Sequence, residues 1–166
     1  GQVISAGVFM PLAERLGLVS ALDRLVLKKA MKLQVEEIGI DKIAVNVSAA
    51  SMNDQSFMQE LVSAVREHPM SRPRIIFEFI EFSAIQHLDK LIEFRNSVGE
   101  RGNGIALDHF GSSFSNFGYL QSLRPDYVKI DRAFTNEIDK EGSDSDFFVS
   151  SLCNVAHSLD IFVIAE

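Results

Sequence analysis

Five apolar runs recur along this chain at even intervals, and each of them ends on charged or amide residues. They occupy residues 43–48, 75–81, 105–109, 127–131 and 161–166. Residues between the runs follow a helical period instead, so strand and helix alternate five times with short connections, the pattern of a parallel sheet with helical crossovers. Helices are expected at 12–16, with Pro11 in the first turn, and at 18–37, where Leu18, Leu22, Leu25, Val26, Met31 and Val35 mark one face. Further helices are expected at 54–67, 85–101, 114–123 and 144–159.

The polar ends of the runs decide between two closures. A strand buried in a parallel sheet is apolar throughout, and an ionised carboxylate at its end is costly unless something pairs with it. Asn46, Glu78, Asp108, Lys129, Asp131 and Glu166 are therefore expected to converge on one polar site at the carboxyl ends of the strands, as in a (β/α) barrel. An open doubly wound sheet would carry a Gly-rich turn after its first strand, and none is present. Five strands fall short of the roughly eight that close a barrel. The fold class expected is thus α/β, a TIM-type (β/α) barrel that is incomplete in this chain, with one domain fragment over residues 1–166 and strands missing on both sides.

Composition narrows the chemistry. The chain has 166 residues, 46% of them apolar, enough for one domain with a core. A net charge of −7 argues against binding to nucleic-acid backbones or anionic membranes. The lone Cys153 allows no internal disulfide and fits a reducing, cytoplasmic setting, and no apolar run reaches the span of a bilayer.

Asn46, Glu78, Asp108 and Glu166 are all oxygen donors, which suit Mg²⁺, Mn²⁺ or Ca²⁺. His68, His87 and His157 stand away from the strand ends, so zinc is a poor fit. Two such cations sharing carboxylates can clamp a phosphodiester, with Lys129 near a phosphate oxygen or the attacking water. Each residue also has a structural reading: Asn46 and Asp108 as turn caps, Lys129 and Asp131 as a local ion pair. Glu78, flanked by Ile76, Phe77, Phe79 and Ile80, is the hardest to explain without a partner.

The strings Phe9-Met10-Pro11-Leu12-Ala13-Glu14, Asn46-Val47-Ser48, Glu78-Phe79-Ile80-Glu81, Asp108-His109-Phe110-Gly111, Lys129-Ile130-Asp131 and Ile164-Ala165-Glu166 resemble, in order and spacing, the EAL domain family. That family comprises cyclic di-GMP phosphodiesterases and receptors on a modified TIM barrel. The resemblance implies that Asn46, Glu78, Asp108 and Glu166 bind Mg or Mn in an active member. It implies that Lys129 and Asp131 serve the same site, and that Asn46, Lys129, Asp131 and Glu166 contact ligand. It assigns Glu81 to anchoring the loop that contains Gly111, Ser112 and Ser113, which links ligand binding to homodimer formation.

One position departs from the family pattern. Active members carry a second aspartate where this chain has His109. Imidazole removes negative charge and offers one nitrogen in place of two oxygens, which weakens a second cation. This resembles degenerate EAL domains of LapD-type receptors, which bind cyclic di-GMP without cleaving it, pair with a GGDEF domain and are tethered to the inner membrane through other segments. A receptor is therefore the leading expectation, with no metal required. The alternatives are a working phosphodiesterase forming pGpG and a nucleotide-free protein-interaction module.

Overall fold

The computed structural model describes residues 4–33, 39–67, 74–112, 117–136 and 145–165. Five strands form a single parallel sheet in sequential order: β1 (Lys42–Asn46), β2 (Arg74–Ile80), β3 (Gly104–Phe110), β4 (Tyr127–Ile130) and β5 (Phe162–Ala165). A doubly wound sheet reverses its strand order at a switch point; this one never does, and it follows the sense of a barrel wall.

The helices are α1 (Ala6–Arg15), α2 (Val19–Ala30), α3 (Ala49–Asn53), α4 (Gln55–Glu67), α5 (Glu81–Gln86), α6 (Leu88–Gly99), α7 (Gly118–Leu123), α8 (Arg132–Thr135) and α9 (Ser145–His157). Of these, α2 to α7 and α9 contribute buried residues to the core on one face of the sheet. Val45, Ile75, Phe77, Phe79, Ile105, Leu107, Val128 and Ile130 point into that layer and are buried. Phe94 of α6 meets Phe77 and Phe79 edge-on, with ring centroids 5.2 and 5.9 Å apart. The alternate residues, Asn46, Glu78, Asp108 and Lys129 among them, share the opposite face.

The amino ends of two strands are tied down by side chains. Asn103 Oδ1 accepts the Ile75 N–H at 2.8 Å, and Asp126 Oδ2 accepts the Ile105 N–H at 2.9 Å. These bonds fix the strand starts, and through the register they fix which residues reach the carboxyl end.

Several helix expectations need correction. α1 begins at Ala6, so Pro11 lies inside it rather than in its first turn. Its missing N–H leaves only the carbonyl of exposed Gly7 without that bond, and water can reach it. In α2 the inward residues are Val19, Leu27 and Ala30, while Leu18, Leu25 and Val26 are about half exposed. Asp23 turns that side of the helix inward: its Oδ2 accepts Ser48 N–H at 3.0 Å and Ser51 Oγ–H at 2.6 Å, satisfying the turn that follows β1. The expected helix at 85–101 is two, broken at His87, and α3 and α8 were not expected at all. Residue 144, the expected start of the last helix, lies outside the described residues.

Candidate functional site

Lys129 joins three strands at the carboxyl end of the sheet. Its Nζ lies 3.4 Å from Glu78 Oε2 and 3.4 Å from Asp108 Oδ1. The three side chains are between 9% and 14% exposed, so this is a mostly dry cluster of two carboxylates around one ammonium. Such charges are strongly attracted to one another and strongly penalised when alone. Asn46 ends β1 in direct register with Glu78 and stands on the same face, exposed.

A bulge in β3 shapes the next part of the site. Leu107 pairs with Val128, but Phe110 rather than His109 pairs with Ile130, so one extra residue is inserted. In an unbroken strand His109 would face the helix layer. The bulge instead gives Phe110 that place, fully buried, and moves His109 to the rim with φ of 56°. Histidine is among the few non-glycine residues enriched in this left-handed region.

His109 then meets Asp131: its Nδ1 is 2.8 Å from Asp131 Oδ2. The other Asp131 oxygen accepts the Ala133 N–H at 2.8 Å, capping α8. The Ala133 amide, then the His109 imidazole, hold the Asp131 carboxyl below its ordinary range.

The loop residues are fixed from behind. Glu81, the first residue of α5, is fully buried; its Oε2 accepts the Gly111 N–H at 3.2 Å and its Oε1 accepts the Tyr119 hydroxyl at 2.5 Å. Ser112 donates both its N–H, at 3.2 Å, and its Oγ–H, at 2.7 Å, to the His109 carbonyl. Ser113 and Glu166, both expected at the site, lie outside the described residues.

This combination, with a sequential parallel sheet, acidic and basic residues gathered at its carboxyl end and a glutamate braced against the loop after β3, coincides with a family profile described as EAL domain that matches residues 1–166. The chain belongs to the EAL domain family. Within it, a curated relative is the bifunctional diguanylate cyclase/cyclic di-GMP phosphodiesterase MucR of Pseudomonas aeruginosa, 31% identical over 99% of this chain and 24% of its own length. This EAL domain thus spans about a quarter of that relative.

Solved structures agree on the fold. The S helix-GGDEF-EAL portion of Vibrio cholerae LapD, in its apo form, gives a TM-score of 0.85 at 26% identity, covering 98% of this chain and 39% of that one. The PaMucR phosphodiesterase in complex with c-di-GMP gives 0.82 at 30% identity, covering 98% and 67%. Among the described residues of this EAL domain, no helix is long and apolar enough to cross a membrane.

Tyr119 was not singled out from the sequence. It sits between Gly118 and Leu120 on an apolar helix face and reads there as a core aromatic. The signal available was its hydroxyl, which needs a partner when buried. The Asp23, Ser48 and Ser51 network was also missed, because its members come from segments about 25 residues apart.

Proposed function

We propose that this EAL domain recognises cyclic di-GMP as a receptor and couples its binding to pairing of two copies of the domain, without hydrolysing it. The observation that carries the reading is His109, which stands where active members are expected to have a second aspartate and has its Nδ1 engaged by Asp131 at 2.8 Å. A second cation there would meet an imidazole rather than a carboxylate and would compete with it for Asp131. Lys129, between Glu78 and Asp108, would supply the positive charge for the phosphates.

The donor chemistry suits a hard cation, although among the described residues no three carboxylate or imidazole side chains are grouped closely enough to hold one, and Lys129 Nζ lies between Glu78 and Asp108. Glu78, Asp108 and Asn46 share one face of the sheet, and with Glu166 they would hold Mg²⁺ or Mn²⁺. Such an ion would act as a Lewis acid and lower the pKa of a bound water. Retention of these donors, together with relatives named as phosphodiesterases, is what favours the enzyme reading that forms pGpG. The protein-interaction reading is disfavoured by the same cluster, since a site with no ligand to serve would be expected to drift towards apolar or neutral residues, which are cheaper to bury than an ion-paired cluster.

Homodimer formation, an adjacent GGDEF domain and a tether to the inner membrane belong to the same proposal. The GGDEF neighbour is supported by the GGDEF-EAL arrangement of Vibrio cholerae LapD, and the other two rest on the family resemblance of the motifs alone. Calorimetric titration of the purified protein with cyclic di-GMP, in chelator and in Mn²⁺, tests it, with chromatography of the products. The expected result is binding on the order of tens of micromolar or tighter in both buffers, and no pGpG. Turnover abolished by Glu78→Ala would establish the enzyme reading instead, and no binding in either buffer would refute nucleotide recognition.

A further inference from the structure

We infer that Tyr119 is a positioning residue which, through Glu81, pins both ends of the segment between β3 and α7 and so holds the rim that carries Asp108 and His109. The two oxygens of Glu81 are used separately: one takes the Gly111 N–H at 3.2 Å, the other the Tyr119 hydroxyl at 2.5 Å. Gly111 directly follows the last residue of β3, and Tyr119 is the second residue of α7. One buried carboxylate therefore gathers both ends of the stretch. A fully buried carboxylate demands strong donors, and a phenol and a backbone amide are suitable ones.

The hydroxyl has no packing reason to be there. A phenylalanine ring would fill the same space, so what tyrosine adds at this position is its donor to Glu81. Burial first, and the neighbouring carboxylate second, push the Tyr119 phenol far above its ordinary range, so it stays protonated and able to donate.

The pin reaches the site through a short path. Gly111 is two residues from His109, whose carbonyl accepts both Ser112 bonds. Gly111 also lies against Leu152, where an added Cβ would come within 2.6 Å of Cδ1. A shift at Gly111 would therefore move the β3 bulge and the residues it aims at Lys129 and Asp131.

Amide hydrogen exchange at Gly111, resolved by NMR, reads the pin directly. In Tyr119→Phe this amide should exchange about tenfold faster while amides of β2 and α6 keep their protection. An unchanged rate at Gly111 overturns the inference, as does a loss of protection spread evenly over the domain. Should Tyr119→Phe not fold, Glu81→Gln gives the same readout: it removes the charge from the acceptor, and faster exchange at Gly111 is again expected.

The consequence for binding rests on the receptor reading. Titrating cyclic di-GMP into the wild type, Tyr119→Phe, Glu81→Ala and the double variant should show affinity reduced by a similar factor in each single variant and no further in the double. Additive losses, or an unaffected Tyr119→Phe, overturn the link to the site. A wild type that binds no nucleotide refutes the receptor reading alone, and the exchange measurement still decides the pin.

Discussion

His109 reaches Asp131, Nδ1 to Oδ2 at 2.8 Å, because a one-residue bulge turns it out of β3 and onto the rim. The histidine thereby hydrogen-bonds a carboxylate that already caps α8. His109→Asp would set two carboxylates against each other at that distance. In chelator the variant should be less stable by about 1 kcal/mol, given the half-exposed position of residue 109. Adding Mn²⁺ should raise its melting temperature more than that of the wild type. Scanning fluorimetry in the two buffers checks this, and an equal response of both proteins to Mn²⁺ would count against residue 109 controlling the second cation.

Lys129→Ala should destabilise the fold more than a surface lysine would. It leaves Glu78 and Asp108, both nearly buried, facing one another without the ammonium between them. Removing one partner of such a cluster costs about 3 kcal/mol, because the remaining charges stay desolvated. Adding Glu78→Gln to Lys129→Ala should recover part of the loss, since one of the two stranded charges is gone. Urea unfolding of the three proteins measures both effects.

These charges were legible in the sequence for a physical reason. Glu78 interrupts a run of Ile and Phe, and a buried strand tolerates a carboxylate only where a partner waits, so its convergence with Asp108 and Lys129 could be read from the strand ends. The sheet was legible for the same reason: apolar runs of strand length leave little choice of element. The bulge at His109 was not, because no glycine marks it and only the need to bury Phe110 creates it. The inward side of α2 was misread because a single hydrogen-bonded Asp23 outweighs exposed leucines when it satisfies the turn after β1. Asp54 was legible as the start of α4 because it caps that helix locally, its Oδ1 accepting the Ser56 and Phe57 N–H groups, whereas the break at His87 has no glycine or proline to announce it.

Asp131 makes stability depend on acidity with a definite sign. Its carboxyl is held below the ordinary range by the Ala133 amide first and His109 second, so the folded state prefers the ionised form. That contribution is complete above the ordinary carboxylate pKa of about 4 and disappears as pH falls through the lowered folded value. Asp131→Ala should therefore cost about 1 kcal/mol at neutral pH, the scale of a lost helix cap. The difference between variant and wild type should shrink steadily below about pH 4. Urea midpoints between pH 3 and pH 7 check it; a gap independent of pH would mean that packing, and not the charge, stabilises α8.

Gly111→Ala tests how firmly the rim is built. Gly111 has φ of +90°, a conformation L side chains rarely adopt, and an added Cβ would lie 2.6 Å from Leu152 Cδ1 and 3.5 Å from Phe134 Cε2. Leu152 is buried in the core and cannot swing into solvent to make room. Backbone strain and overpacking act together here, and a loss of about 2 kcal/mol is expected. For a chain of this size that corresponds to a melting temperature lower by roughly 4–8 °C. Gly99→Ala is the matched control, since nothing lies within 4 Å of its Cβ position and its backbone is helical. There alanine should be neutral or stabilising by up to about 1 kcal/mol. Equal effects of the two substitutions would mean that the chain after β3 can relax away from Leu152, and that the rim is held less tightly than the Glu81 contacts require.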